Sequence, residues 1–147
     1  METKKIKKVF KDGPIASDFI AKSIQNHSHK TNIGAHNIFL GQVRNDLIEG
    51  DEVVAIDYTA AEDIAELEFH RIREEAFDKF DLTCMHIYHS LGVVQKGEIC
   101  LFVFVSSAHR KATFEALEFL VEEIKAHVPI FGKELFEDGS HQWKENK

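Results

Sequence analysis

The run Ile99-Cys100-Leu101-Phe102-Val103-Phe104-Val105-Ser106-Ser107 decides how this chain folds. Its first seven residues are apolar and favour extended backbone. A strand without polar alternation is one covered on both faces. The run is therefore expected to be a central strand, with Ser106 or Ser107 capping the helix that follows. In that helix Phe114, Leu117, Val121, Ile124 and Val128 recur at steps of three and four, and Pro129 ends it.

Working outward, Leu82 to His89 reads as a second strand, and Gly92 to Gly97 as the turn between the two. A long helix is predicted over 60–80, with Ala65, Phe69, Ile72, Ala76 and Phe80 on one face. Glu62, Glu66, Arg73 and Glu74 lie off that line and read as a solvated side. Val53 to Tyr58 and Ile33 to Val43 are further strands. Gly34 and Gly41 mark a bend or a close approach in the latter. A first helix over 14–26 would turn Ile15, Phe19, Ala21 and Ile24 inward, before a polar loop at His27–Asn32. From Leu135 onward the chain is a polar tail apart from Phe136 and Trp143. The order predicts one α+β domain over residues 1–147, with a mostly antiparallel sheet and helices on one side.

The 147 residues are 44% hydrophobic and 29% charged, which is ordinary for a globular protein. No apolar run approaches the roughly 20 residues a bilayer span needs. The stretch Met1–Lys11 is basic and lacks an apolar signal core, so a cytoplasmic protein without a membrane partner is expected. Cys84 and Cys100 sit in strand-like runs and read as buried free thiols. Nine histidines are present, but none has zinc-signature spacing. His27 and His29 share a loop, His86 and His89 point to opposite faces of a strand, and His36, His70, His127 and His141 stand alone. No metal and no cofactor is expected. Phosphate-loop, dinucleotide and serine-nucleophile motifs do not occur.

The chemistry lies in a set of cations on a chain of formal charge -7. A local basic cluster on an acidic chain fits a small anion better than nucleic acid, which needs a broad basic face. Arg44 follows a strand. His109 and Arg110 open the late helix, where free N–H groups favour an anion. Lys125 lies near the end of that helix, and Lys133 follows the corner Pro129-Ile130-Phe131-Gly132. These cations also admit a plainer reading, as partners of helix dipoles and surface carboxylates. Arg110 and Lys125 are separated by about 22 Å along the helix. If both ends serve one small ligand, a second copy of the chain must bring one of them.

The same residues carry a resemblance. Gly34-Ala35, Phe39-x-Gly41-x-Val43-Arg44, Leu91-Gly92, Gly97-Glu98, Ser107-x-His109-Arg110, Phe114-Glu115-Ala116, Lys125, Pro129-Ile130-Phe131, Lys133-Glu134, Asp138-Gly139 and Trp143 follow one another as in the large, catalytic subunit of molybdopterin synthase. The chain resembles that family over about 33–143. The resemblance implies an α/β hammerhead-type domain, a homodimer, and a heterotetramer with a ubiquitin-like sulfur-carrier small subunit ending in a Gly-Gly thiocarboxylate. It implies sulfur transfer onto cyclic pyranopterin monophosphate (precursor Z), giving molybdopterin in molybdenum cofactor biosynthesis. Lys125, with Lys133 second, would be catalytic. Gln42, Val43, Arg44, His109, Arg110, Lys125, Lys133 and Glu134 would bind substrate, and Phe39, Phe131 and Gly132 would shape the pocket wall.

Three places depart from the family pattern. Gly132 stands where a second lysine is usual, so either Lys133 fills that role or the role is lost. Ser90 replaces an arginine, and Tyr58-Thr59-Ala60-Ala61 replaces a Tyr-Glu-x-Tyr stretch. They keep open a second reading, a non-catalytic module holding a carrier protein or a pterin phosphate. A third is an unrelated anion-binding α+β domain.

Overall fold

The computed structural model describes residues 8–145; the basic segment 1–7 and residues 146–147 lie outside it. In chain order the elements are β1 (Phe10–Asp12), α1 (Ser17–Gln25), β2 (Ala35–Gln42), β3 (Leu47–Ile48), β4 (Asp51–Ala60), α2 (Glu62–Lys79), β5 (Cys84–Gln95), β6 (Ile99–Ser107), α3 (Arg110–His127), β7 (Ile130–Phe136) and β8 (His141–Trp143). The strands form one sheet in the order β2-β6-β5-β4-β7-β8, with β1 and β3 paired to β5 and β4. Every ladder is antiparallel except β1 with β5. The α+β, mostly antiparallel expectation holds.

β6 lies inside the sheet, one strand in from the edge strand β2 rather than at its centre, and is covered on both sides. Val103 and Val105 pack with Phe69 and Ile72 of α2 and Leu120 and Ile124 of α3. On the opposite face Phe102 and Phe104 meet Ile15, Phe19 and Ile20. Each of these two fully buried phenylalanines contributes about 1.5–3 kcal/mol through area removed from water. The helices therefore do not share one side, since α1 covers the face that α2 and α3 leave open. Two features hold it there. The Lys11 ammonium lies 3.4 Å from the Phe19 ring centroid, and His27, just past α1, bonds His86 of β5 across 2.9 Å. Because His27 Nδ1 donates to the Ser23 carbonyl at 2.7 Å, its Nε2 accepts from His86. His36 is not isolated either: Nδ1 lies 2.6 Å from Ser106 Oγ, and burial, then neighbouring His27, lowers its pKa.

Several local expectations are corrected. Ala21 and Ile24 of α1 are exposed, and so is Phe114 of α3, where Thr113, Ala116, Leu120, Val121 and Ile124 form the buried face. Arg73 is not on a solvated side. Its guanidinium donates to the Met85 carbonyl at 2.9 Å, and burial lowers its pKa. Ser106 and Ser107 belong to β6 rather than a cap; Ser107 Oγ donates to the Asp81 carbonyl. His109 is the N-cap, without a side-chain cap bond.

The polar tail is strand. β7 lies along β4, and β8 closes the sheet as its edge. Gly92–Val94 is not a turn but part of β5, which pairs with β6 up to His89 and with β4 from Gly92. Gly92 sits at φ +85°, a left-handed conformation that side-chain-bearing residues resist, and it lets the strand turn from one ladder to the next. Among the described residues no helix is long and apolar enough to cross a membrane.

Candidate functional site

Beside the junction of the two ladders lies a cavity of about 1270 Å3. One wall is Phe39 to Arg44 at the end of β2 and beyond. Opposite stand Tyr58 of β4, Gly132 and Glu134 of β7, and Gln142 to Glu145. The last turn of α3 and the chain to Phe131 close the side, with Lys125 among them. A smaller cleft of about 510 Å3 is lined by Asp51, Glu52, Glu137 and Asp138, whose charge opposes an anion.

The floor is shaped by a break in register. The β2–β6 ladder steps from Gly41↔Leu101 to Gln42↔Ile99, so Cys100 is the extra residue of a β-bulge. The bulge turns Cys100 into the cavity, where its thiol donates to the Gly41 carbonyl at 3.4 Å. Tyr58 stands beside it. Burial, then the neighbouring Cys100 and Glu134, push the phenol's pKa up, so it stays protonated. The His89 ring meets Tyr58 edge-on at 5.0 Å. Its Nδ1 donates to the Ser90 carbonyl at 2.8 Å. Burial, with the positive charge of Lys125 adding to it, takes the His89 pKa down to about 4, so the ring is a neutral floor group. Glu134 is 5% exposed and accepts from Gln142 Nε2 at 3.2 Å.

Of the residues singled out from sequence, Phe39, Gln42, Val43, Arg44, Lys125, Phe131, Gly132 and Glu134 line this one cavity. Val43 is buried and held by its backbone to Glu98 and Gly97 at 3.0 and 2.8 Å. The exposed Arg44 guanidinium lies 3.2 Å from Asp46, a pair worth little in water. Lys125 sits in the last turn of α3, where the helix carbonyls favour a cation.

Three expected residues are not brought in. Lys133 does not line the cavity. Strand alternation turns it from the face of Gly132 and Glu134, and its ammonium lies 5.4 Å from the Trp143 ring centroid. His109 and Arg110 are exposed at the far end of α3. Neither side chain has a hydrogen bond or ion pair among the described residues. With Lys111 beside them and no acidic residue in the first turn, three basic residues crowd a helix end that itself favours negative charge. Sequence reasoning missed Tyr58, His89, Cys100 and Lys144 as cavity residues. The ladder register that aims them is set by the bulge and by β7 and β8, which have weak sequence signals. Among the described residues no group of three or more His, Cys, Asp or Glu is placed to hold a metal ion.

Residues 14–127 match the family described as MoaE protein. The chain is 38% identical over 114 residues to the bovine (Bos taurus) protein named molybdopterin synthase catalytic subunit, covering 78% of this chain and 60% of the relative. It is 38% identical over 130 residues to the Bacillus subtilis protein of the same name, covering 88% of this chain and 79% of the relative. The chain thus spans less than two thirds of the length of the bovine relative. Among solved structures, molybdopterin synthase from Staphylococcus aureus superimposes with a TM-score of 0.80 at 30% identity, over 98% of this chain and 99% of that one. A complex of subunits 1 and 2 of the Helicobacter pylori molybdopterin-converting factor shares the fold, with a TM-score of 0.80 at 22% identity, over 95% of this chain and 90% of that one. With the fold, the strand-end arginine and the late-helix lysine in place, the chain belongs to the MoaE protein family.

Proposed function

We propose that this chain is the catalytic subunit of a molybdopterin synthase. It transfers sulfur from the thiocarboxylated C-terminus of a ubiquitin-like small subunit to cyclic pyranopterin monophosphate, building the dithiolene of molybdopterin. The observation that carries the reading is that Lys125 and Arg44, far apart in the chain, line one cavity. Both reactants are anions, so a site joining them needs positive charge to offset their repulsion. Lys125 stabilises the negative charge that develops as sulfur is transferred. Gln42, Val43, Arg44 and Glu134 bind the substrate, and Phe39, Phe131 and Gly132 form the wall beside the pterin. Lys133, turned away, has no part.

The charge balance supports a composite site. Within one chain the cavity holds Arg44, Lys125 and Lys144 against Asp46, Glu134 and Glu145, three cations to three anions. A phosphate clamp needs an excess of positive charge. His109 and Arg110 of a second copy supply it, in a homodimer that takes one small subunit on each side to make a heterotetramer. The buried thiols Cys84 and Cys100 are unpaired, in keeping with a cytoplasmic location.

A single-turnover assay tests the proposal. The chain, the thiocarboxylated small subunit and cyclic pyranopterin monophosphate are mixed, and dithiolene product is measured. Each thiocarboxylate gives one sulfur and leaves as a carboxylate, so with the small subunit in excess one dithiolene is expected for every two thiocarboxylates consumed. Binding of both reactants without product would favour the alternative of a non-catalytic module, for which the missing lysine at Gly132 is the specific argument.

A further inference from the structure

The second ladder and the chain just past it line one side of the cavity, with Phe131, Trp143 and Glu145 at its rim. Ile56 and Tyr58, Gly132 and Glu134, and Gln142 face it, and Lys144 extends the last series. Lys144 is tied in place by its own backbone, whose N–H donates to the Gly132 carbonyl at 2.8 Å. A Cβ added at Gly132 would lie 3.7 Å from Lys144 Cβ, 3.4 Å from the Tyr58 ring and 3.0 Å from Ile56 Cγ2. The space a residue-132 side chain would enter is thus already bounded by Tyr58 and Ile56, with the Lys144 stem beside it. Lys144 is half-buried and lines the cavity, while Lys133 faces away.

We propose that Lys144 provides the cavity's second ammonium, entering from just past β8 beside Gly132 and binding an anionic group of a reactant. Its chemistry suits either the phosphate of the pterin or the thiocarboxylate of the small subunit. Lys144 is a substrate-binding residue in this scheme; Lys125 remains the group at the reacting atoms. The inference rests on the synthase reading above.

Steady-state dithiolene formation with the full chain tests it, comparing wild type, Lys144→Ala and Lys144→Arg with each reactant varied in turn. Lys144→Ala is expected to raise KM for one reactant about tenfold, the effect of one charge-assisted contact, with kcat changed less than about threefold. Lys144→Arg is expected to stay near wild type. A rise confined to the pterin assigns the phosphate, and one confined to the small subunit assigns the thiocarboxylate. Unchanged KM values in Lys144→Ala, or equal losses in the alanine and arginine variants, would overturn the inference. If wild type forms no dithiolene, the synthase reading fails instead. Titration with inorganic pyrophosphate then decides on Lys144: weaker binding by Lys144→Ala supports it, and equal binding by wild type and variant overturns it.

Discussion

The His89 imidazole and the Lys125 ammonium share one cavity, and the ammonium's charge adds to burial in keeping the imidazole neutral. The pKa of His89 falls from 6.5 to about 4, with burial the main cause and the hydrogen bond to the Ser90 carbonyl opposing it. Between those values the unfolded chain binds a proton that the folded chain refuses. Stability from this group is therefore complete above about pH 6.5 and is lost as pH falls toward 4. The loss amounts to about 3 kcal/mol at most. Urea unfolding at pH 7.5, 5.5 and 4.5 should show the decline in wild type. It should be smaller in His89→Phe, which cannot titrate; parallel declines in the two proteins would contradict this account.

Lys125 and Lys133 should separate cleanly in activity. Lys125→Ala is expected to lower single-turnover dithiolene formation by about 100-fold or more, as for loss of a group that stabilises developing charge. Lys133→Ala, which alters the side facing Trp143, should stay within about threefold of wild type. Circular dichroism and sedimentation should show both variants folded and assembled like the parent. A large loss in Lys133→Ala would mean that its side chain reaches the cavity after all.

Mixing two inactive variants tests the shared site. Under the proposed composite site, Arg110→Ala and Lys125→Ala are each expected to damage every site of their own dimer. In a mixed dimer one site carries both changes and the other carries neither. After subunit exchange the mixture should regain about a quarter of wild-type activity, because about half of the dimers are mixed and each has one intact site. No recovery, despite exchange demonstrated by differently tagged chains, would place Arg110 and Lys125 in the same protomer's site or remove Arg110 from it.

Gly34 is fixed by space rather than by torsion. Its N–H donates to the Ser107 carbonyl at 3.0 Å, and an added Cβ would sit 2.2 Å from the Ala108 carbonyl oxygen. Gly34→Ala must push apart the start of β2 and the residues leading into His109. A cost of about 3 kcal/mol is expected, the upper end for overpacking. Thermal unfolding reads it directly, and an unchanged Tm would show that the two segments can slide past each other.

What was legible in the sequence was what periodicity encodes. The apolar run of β6 and the face of Ala65, Phe69, Ile72 and Ala76 on α2 were plain, because burial on two sides or on one stripe leaves a regular pattern. The family pattern located Arg44 and Lys125. Less legible were β7 and β8. Glu134 is buried in β7 through a bond from Gln142, so polar residues there mark paired strands rather than a tail. Phe114 kept the helical rhythm yet faces outward, since Thr113, with its hydroxyl bonded to the Arg110 carbonyl, takes the inner position. Lys133 follows Gly132 by one residue and takes the other face of β7, because one residue's shift along a strand reverses the side chain.

Because β5 runs unbroken through both ladders, the cavity's opposing sides hang on a single pivot at Gly92. The gap between them is preset by main-chain hydrogen bonding before any reactant arrives. Room for adjustment lies at the rim, where the Arg44 and Phe131 side chains stand in solvent, while the sheet beneath holds its calibre.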